Sequence, residues 1–468
     1  VRAPFLKEQF GKVVYQYFVD LKHTFDPNNL FNPGVILSDK SILENLRPVV
    51  NQQELTTAFD WRDDLSFYYA VEKCNGAGVC RKSIGGIMCP SYKATRGEEF
   101  STRGRANLLR KALSSEDPTK SLKNSELKEA LDLCLACKAC KSECPANVDM
   151  AKLKSEYLFQ IRNAGSYVKS WHIKNLGYIL KIGSKAPDTF NFLQSSFLGR
   201  KLIGFERQPP LLQKKSLSDW WSACKTNNED CSTTVWVIVD IFTQYYDVSI
   251  GQDVLNLLKK CKVNIKVVFP KNSIVAMVSY GLLNEAKNEL KILHSQLNDA
   301  AKNDLIVGIE PSEVLVWRDE AKSLLNGRLP NVLLFEELLL ELDQLKVLPK
   351  FHALNTKVWV YEHCHQKSLA ETENVIKSLE LIPELQIEII NGGCCGMAGE
   401  FGYKFPEISD TIAHQSLDNY MSRVGKNDVL VVTGTSCRKQ ILDIFSIRSI
   451  HWPQLFNNTI KMKVNIEE

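Results

Sequence analysis

Apolar residues between Phe10 and Phe25 recur with helical spacing, and the pattern stops at Asp26-Pro27 and again at Asn32-Pro33-Gly34, where proline and glycine break a regular element. This opening is too short to be a domain. Residues 40–72 carry no sustained period and read as a connector. Between 74 and about 165, amphipathic stretches such as TRGRANLLRKAL (102–113) and NSELKEALDLC (124–134) predict a mainly helical block. Aromatic and basic residues dominate 166–232, and Pro209-Pro210 followed by a polar run predicts a boundary near 232.

Beyond 232 the period changes and the chain repeats itself. VWVIVDIFTQYYDVSIGQDVLNLLKK at 235–260 matches VWVYEHCHQKSLAETENVIKSLE at 358–380 as a β-branched strand, a turn and an amphipathic helix. Each unit continues with a second short strand, VNIKVVF or LQIEII, and a third, DLIVGI or DVLVVTG. Strands alternating with helices in two similar units predict an α/β fold with parallel pairing. The expected fold class is thus mixed, a mainly α-helical block followed by tandem α/β repeats with small parallel sheets.

Composition changes this picture in two ways. The formal charge of +4, from 58 basic and 54 acidic residues, is too evenly mixed to point to nucleic acid as a partner. No apolar run reaches the roughly 18 residues of a membrane span, and no targeting segment opens the chain, so a cytoplasmic location is expected, peripheral to the inner membrane at most. The first residue is Val1 rather than Met, which suggests a part of a longer protein. Fourteen cysteines in a chain of this length point to metal or redox chemistry rather than to a disulfide scaffold. Three of them, Cys224, Cys231 and Cys261, stand alone and read as ordinary small residues.

The other eleven fall in three groups. CLACKACKSECP places Cys134, Cys137, Cys140 and Cys144 at the spacing of a bacterial ferredoxin run, in which three thiolates hold one iron–sulfur cluster and the fourth, before proline, reaches a second. Structural zinc sites usually pair two C-x-x-C units instead. CNGAGVCRKSIGGIMCP looks like a damaged copy, with Cys74, Cys80 and Cys89 before Pro90, and Ala77 where a middle cysteine would stand. Pairing crosswise, Cys134, Cys137, Cys140 and Cys89 form a complete set. Cys74, Cys80 and Cys144 form a set of three, which suits a [3Fe–4S] cluster or a [4Fe–4S] cluster with one non-cysteine ligand. The third group is Cys364, the adjacent pair Cys394 and Cys395, and Cys437, each just after an expected strand, so that loops at the carboxyl end of one small sheet could gather them. His363 and His365 flank Cys364; on extended backbone both would point away from it, suited more to hydrogen bonding or packing than to ligation. The corresponding positions of the first repeat, Phe242 or its neighbour, Asn272, Ser273 and Glu313, hold no cysteine, so that half reads as a structural partner.

These motifs resemble a known arrangement. CCGMAGEFGY, with HCHQKS before it and GTSCRKQ after, is similar to the cysteine-rich (CCG) domain shared by heterodisulfide reductase subunits and the iron–sulfur subunits of glycolate oxidase and anaerobic glycerol-3-phosphate dehydrogenase. MCPSYKATRGEEFSTRGRANLLR joined to the full run resembles the helical two-cluster ferredoxin of those proteins, and FDPNNLFNPG resembles the closing segment of an FAD-linked oxidase domain. The order is similar to that of large bacterial FAD-linked D-2-hydroxyacid dehydrogenases of the D-lactate and D-2-hydroxyglutarate type. The resemblance implies residues 1–39 as the tail of an oxidase domain, 40–72 as connector, 73–165 as the ferredoxin domain, 166–232 as a basic aromatic connector, 233–345 as a degenerate repeat without ligands and 346–468 as the repeat with a cluster site.

It also implies a function. A flavin (FAD) in an upstream domain of the same polypeptide would oxidise a D-2-hydroxyacid, and electrons would leave through [4Fe–4S] clusters, one of them [3Fe–4S] or [4Fe–4S], to a quinone or other acceptor. Asn32 would lie near the flavin, and no residue of this chain would be catalytic by itself. The basic, aromatic stretch 166–207 makes a membrane surface a candidate partner. Two other readings are a disulfide-reducing enzyme of the heterodisulfide reductase kind, disfavoured by the missing further C-x-x-C, and a zinc-bound scaffold.

Overall fold

The structure, a computed structural model, describes residues 3–38, 40, 41, 44, 55–163, 171–224, 233–325 and 327–460. It divides into two units, Val1–Gln52 and Gln53–Glu468. In the first, the expected helix runs Leu6–Phe25, with a break in its dihedral angles at Gly11. It stops where the Asp26 carboxylate accepts the backbone N–H of Leu30 (2.8 Å) and of Phe31 (2.9 Å) and pairs with Lys22, turning the chain through Asp26-Pro27. Asn32 follows as an exposed residue in left-handed conformation, φ 47°.

The second unit begins with a helical block. Helix Thr102–Leu113 starts at Ser101, whose hydroxyl accepts Gly104 N–H (3.0 Å), and helix Ser125–Asp132 starts at Asn124, whose carbonyl oxygen accepts Glu126 N–H (2.8 Å). Their apolar faces bury Ala106, Leu109, Leu127 and Leu131 against Leu153 and Tyr157 of helix Met150–Asn163. The fully buried Glu156 on that helix accepts the N–H groups of Phe59 (3.0 Å) and Trp61 (indole, 3.3 Å), which fastens the incoming chain to the block.

Two parallel sheets follow. The first, ordered β2-β1-β3-β4, consists of β1 (Thr234–Ile238), β2 (Asn264–Val268), β3 (Leu305–Gly308) and β4 (Val332–Leu333). The second, ordered β6-β5-β7, consists of β5 (Lys357–Tyr361), β6 (Gln386–Ile389) and β7 (Val429–Val432). Register agrees between them: Val237 pairs Val267 and Val307, and Val360 pairs Ile389 and Val431. The repeat extends to side chains. Trp236 donates its indole N–H to Asp304 (2.8 Å) just as Trp359 donates to Asp428 (2.7 Å), and a lysine ammonium lies 4.4 Å from each indole centre.

One core joins the repeats. Val235, Val237 and Val307 of the first sheet and Val358, Val360 and Val431 of the second share a buried cluster with helices Val248–Lys260, Phe335–Gln344 and Trp452–Ile460. Fully covered parallel strands need such near-continuous apolar runs. The fold is mixed, helical first and then α/β. Within the stretch 166–232, the described residues 171–224 include helices Leu176–Gly183, Pro187–Ser195, Phe197–Ile203 and Leu217–Ala223, while Cys231 and the expected boundary near 232 lie outside the described residues. Among the described residues, no helix is long and apolar enough to cross a membrane.

Candidate metal centres

The thiols of the ferredoxin motifs are turned inward by unusual backbone. Cys89 itself is left-handed (φ 53°), and so are Ala136 and Lys138 on either side of Cys137 (φ 51° and 62°). Non-glycine residues in this region store strain that surrounding contacts must hold. Those contacts are visible. Thr102 donates its backbone N–H to the Cys89 sulfur (3.1 Å), and Met150 donates its own to the Cys140 sulfur (3.3 Å). The eight-residue loop after Cys80 is closed by Glu143, which accepts the N–H groups of Ile87 (2.6 Å) and Met88 (3.2 Å), and by Lys93, which donates to the carbonyls of Gly85 and Gly86.

Cys74, Cys80 and Cys144 line one small cavity, and Ala77 lines it with them. Cys134, Cys137 and Cys140 lie within electrostatic reach of one another, and Cys89 within reach of Cys140. Cys89 also stands beside Cys80, whose thiol its hydrogen bond pulls down to about 6 while its own is pushed up. Cys89 thus lies between Cys80 on one side and Cys140 on the other.

The third group gathers at the carboxyl end of sheet β6-β5-β7. Cys364 opens helix Cys364–Leu369 after β5, Cys394 and Cys395 lie in the loop after β6, and Cys437 lies in the first turn of helix Thr435–Phe445 after β7. The sulfurs of Cys395 and Cys437 are 3.3 Å apart, and Cys364 is hydrogen-bonded to Cys394. Gly396 (φ 88°) gives its N–H to the Cys394 sulfur; a side chain there would meet the Ser409 carbonyl at 2.3 Å. All of these cysteines are free thiols.

The backbone at Cys364 is helical, which corrects the extended conformation expected around the two histidines. His363 caps that helix, its Nδ1 accepting His365 N–H at 3.2 Å, so the ring proton sits on Nε2, 3.9 Å from the Cys364 sulfur. His365 turns the other way and donates from Nε2 to the Ala136 carbonyl (2.9 Å), in the ferredoxin run. Capping dictates the direction of His363, because a helix start needs acceptors for its first N–H groups, while the carbonyl of Ala136 fixes that of His365.

The electrostatics suit thiolate ligation. Burial pushes Cys137 up and Cys140 up to about 12, so these thiols stay neutral unless a cation joins them. Half-buried basic side chains lie near each set. Arg103 faces Cys80 and Cys74; Lys154, lowered by burial, faces Cys134; and Lys367, also lowered by burial, faces Cys437, Cys364 and Cys394. Soft thiolates with neighbouring cations fit an anionic iron–sulfur cluster.

In the first repeat, the polar groups at and near the corresponding positions are taken up in hydrogen bonds of their own. Glu313 accepts from the Ser273 hydroxyl and from Ile274 N–H (3.2 Å), Asp240 accepts the N–H groups of Phe242 and Thr243 (2.9 Å each), and Asn272 accepts Gly177 N–H (2.9 Å). Cys261 is buried in the core, bonded to the Leu257 carbonyl. Sequence reasoning missed the residues that join this repeat to the thiol sites. Lys138, buried beside Cys137, pairs with Asp319 (2.5 Å) and Glu320 of the first repeat. Burial would lower Lys138, but the two carboxylates outweigh it and raise it. Glu336 accepts from Gln366, whose carbonyl accepts from Thr433, whose hydroxyl accepts His363 N–H (2.8 Å). Nothing in the local pattern of these residues marks them.

Comparison with known proteins bears on the class of chain to which these segments are similar. The family model "4Fe-4S dicluster domain" matches residues 70–148, and the model "FAD linked oxidases, C-terminal domain" matches residues 1–36. The two matches mark residues 70–148 as a segment of the kind that holds [4Fe–4S] clusters and residues 1–36 as similar to the closing part of an FAD-linked oxidase domain. More particularly, the chain is similar to D-2-hydroxyglutarate dehydrogenase of Escherichia coli K12, 29% identical over 508 residues, covering 94% of this chain and 48% of that protein. The enzyme of the same name from Haemophilus influenzae is 27% identical over 520 residues, covering 94% and 49%. An anaerobic glycerol-3-phosphate dehydrogenase subunit of Escherichia coli K12 is 22% identical over 258 residues, covering 53% and 65%. The chain spans about half the length of the D-2-hydroxyglutarate dehydrogenases it matches. No solved structure matches it.

Proposed function

We propose that the chain is the iron–sulfur electron-transfer portion of an FAD-dependent D-2-hydroxyacid dehydrogenase, of the D-2-hydroxyglutarate or D-lactate type, delivering electrons from the flavin to a quinone or another acceptor. The observation that carries this reading is the gathering of eleven cysteines, all but the half-buried Cys134 and Cys144 buried, into three groups in the unit that follows an oxidase-like segment. When bound, the clusters supply one-electron transfer. Cys89, Cys134, Cys137 and Cys140 would hold one, Cys74, Cys80 and Cys144 a second, and Cys364, Cys394, Cys395 and Cys437 a third. The chain's own work is to fix these thiols, keep water from them and set their charge environment through Arg103, Lys154 and Lys367. Asn32 would face the flavin of the preceding domain.

Anaerobic purification with iron and acid-labile sulfide analysis tests the reading. Three clusters per chain are expected; stoichiometric zinc without sulfide would refute it. On the acceptor side, helices Pro187–Ser195 and Phe197–Ile203 expose Phe192, Leu193, Phe197, Leu198 and Leu202 beside exposed Lys181, Lys185 and Lys201, a combination suited to an anionic membrane surface where a quinone is reached. Co-sedimentation with anionic vesicles at low salt is expected, and its absence would remove the membrane from the proposal.

A further inference from the structure

The first repeat lacks the cysteine cluster of the second, its one cysteine, Cys261, lying in the core, yet it reaches both of its neighbours. Toward the ferredoxin run, Asp319 and Glu320 enclose the Lys138 ammonium, all three at most 8% exposed, and Asp319 also takes Lys141 (2.5 Å). Toward the C-terminal site, Glu310 accepts Thr435 N–H (3.0 Å), Asp247 pairs with Arg438 (2.5 Å), and Glu336 supports Gln366. Helix Cys364–Leu369 is packed between helix Pro311–Arg318 of the first repeat and helix Ala139–Glu143 of the ferredoxin run. At that seam His365 donates to the Ala136 carbonyl (2.9 Å) and Ser368 to the Cys137 carbonyl (3.3 Å). Cys137 lies within electrostatic reach of Cys364 and of Cys394.

We infer that the first repeat is a clamp: Asp319 and Glu320, together with His365, are positioning residues that lock the Cys137 loop against Cys364, making the complete ferredoxin set and the C-terminal set immediate neighbours. The three-thiol set then adjoins the complete set on its other side, through Cys80 and Cys89. The inference rests on the proposed iron–sulfur function. Its physical basis is that the Lys138 loop is strained at Ala136 and Lys138 and would relax without outside contacts. A buried ammonium enclosed by two carboxylates fixes a loop because opening the pair leaves charge buried and unpaired. The transfer this placement serves moves one electron between neighbouring sets; no bond forms or breaks in the protein and no proton moves.

Two variants of the full chain, loaded anaerobically with iron and sulfide, test it: Asp319→Asn with Glu320→Gln, and His365→Phe, which keeps a ring in place but loses the bond to Ala136. Pulsed EPR of the reduced protein reads the magnetic coupling between centres, and amide hydrogen exchange of the metal-free protein reads the opening of residues 134–141. Wild type should show coupling between the complete and C-terminal centres. Each variant should keep its iron and sulfide, lose that coupling, and exchange faster in 134–141 alone. Unchanged coupling and exchange in a folded variant would overturn the clamp, as would a wild-type protein in which the C-terminal centre couples to the three-thiol centre instead. Failure to take up iron and sulfide at all would count against the proposed function, and faster exchange in the variants would still support the clamp.

Discussion

Replacing Lys367 by methionine should lower the reduction potential of the C-terminal centre. The Lys367 ammonium is enclosed, donating to the carbonyls of Gly392 (3.0 Å) and Ile390 (3.3 Å) above the Tyr361 ring, and its charge acts on Cys437, Cys364 and Cys394. A cation beside a cluster favours the form that carries one more electron, so its removal favours the oxidised form. At an effective dielectric of about 20 and a separation of about 7 Å, a unit charge contributes about 2 kcal/mol. For a one-electron couple that is about 100 mV. Methionine keeps the stem's volume over the tyrosine ring, so packing changes little. A potentiometric titration followed by EPR should show the C-terminal centre shifted down by this order while the other two stay in place. A shift below about 20 mV, an upward shift, or an equal shift of all three centres would refute the electrostatic role assigned to Lys367.

Ala77 lines the cavity of Cys74, Cys80 and Cys144 and is exposed, so a cysteine fits there without displacing core; Ala77→Cys should convert a three-iron centre into a cubane and remove its EPR signal from the oxidised protein. A wild-type protein of full iron content that gives no such signal when oxidised would mean the fourth position is already filled. Burial raises Glu336 to about 8, well above its value in an unfolded chain, so the folded form binds an extra proton between these values. Its contribution to stability is present below about pH 4.5 and is lost as pH rises through about 8, by an amount on the order of a few kcal/mol. Glu336→Gln should flatten the denaturation midpoint over this range, and an unchanged pH slope would contradict the assignment.

Much of the site was legible because its signals are local. Four cysteines within eleven residues before a proline have few uses, and the turn residues around Cys394 and Cys395 announce tight backbone. The two repeats were legible because a buried parallel strand must be apolar throughout, which writes VWVIV and VWVY into the chain. The direction of the histidines was not legible, since it depends on where helix Cys364–Leu369 begins, and a helix start is fixed by capping partners that period alone does not reveal. The tertiary structure alone decided that Lys138 would meet Asp319 and Glu320 across more than 180 residues, and that His365 would reach Ala136 rather than its own cysteine loop. Charged residues in loops carry no period. Their role appears only when folding removes them from water and leaves each one to find a partner.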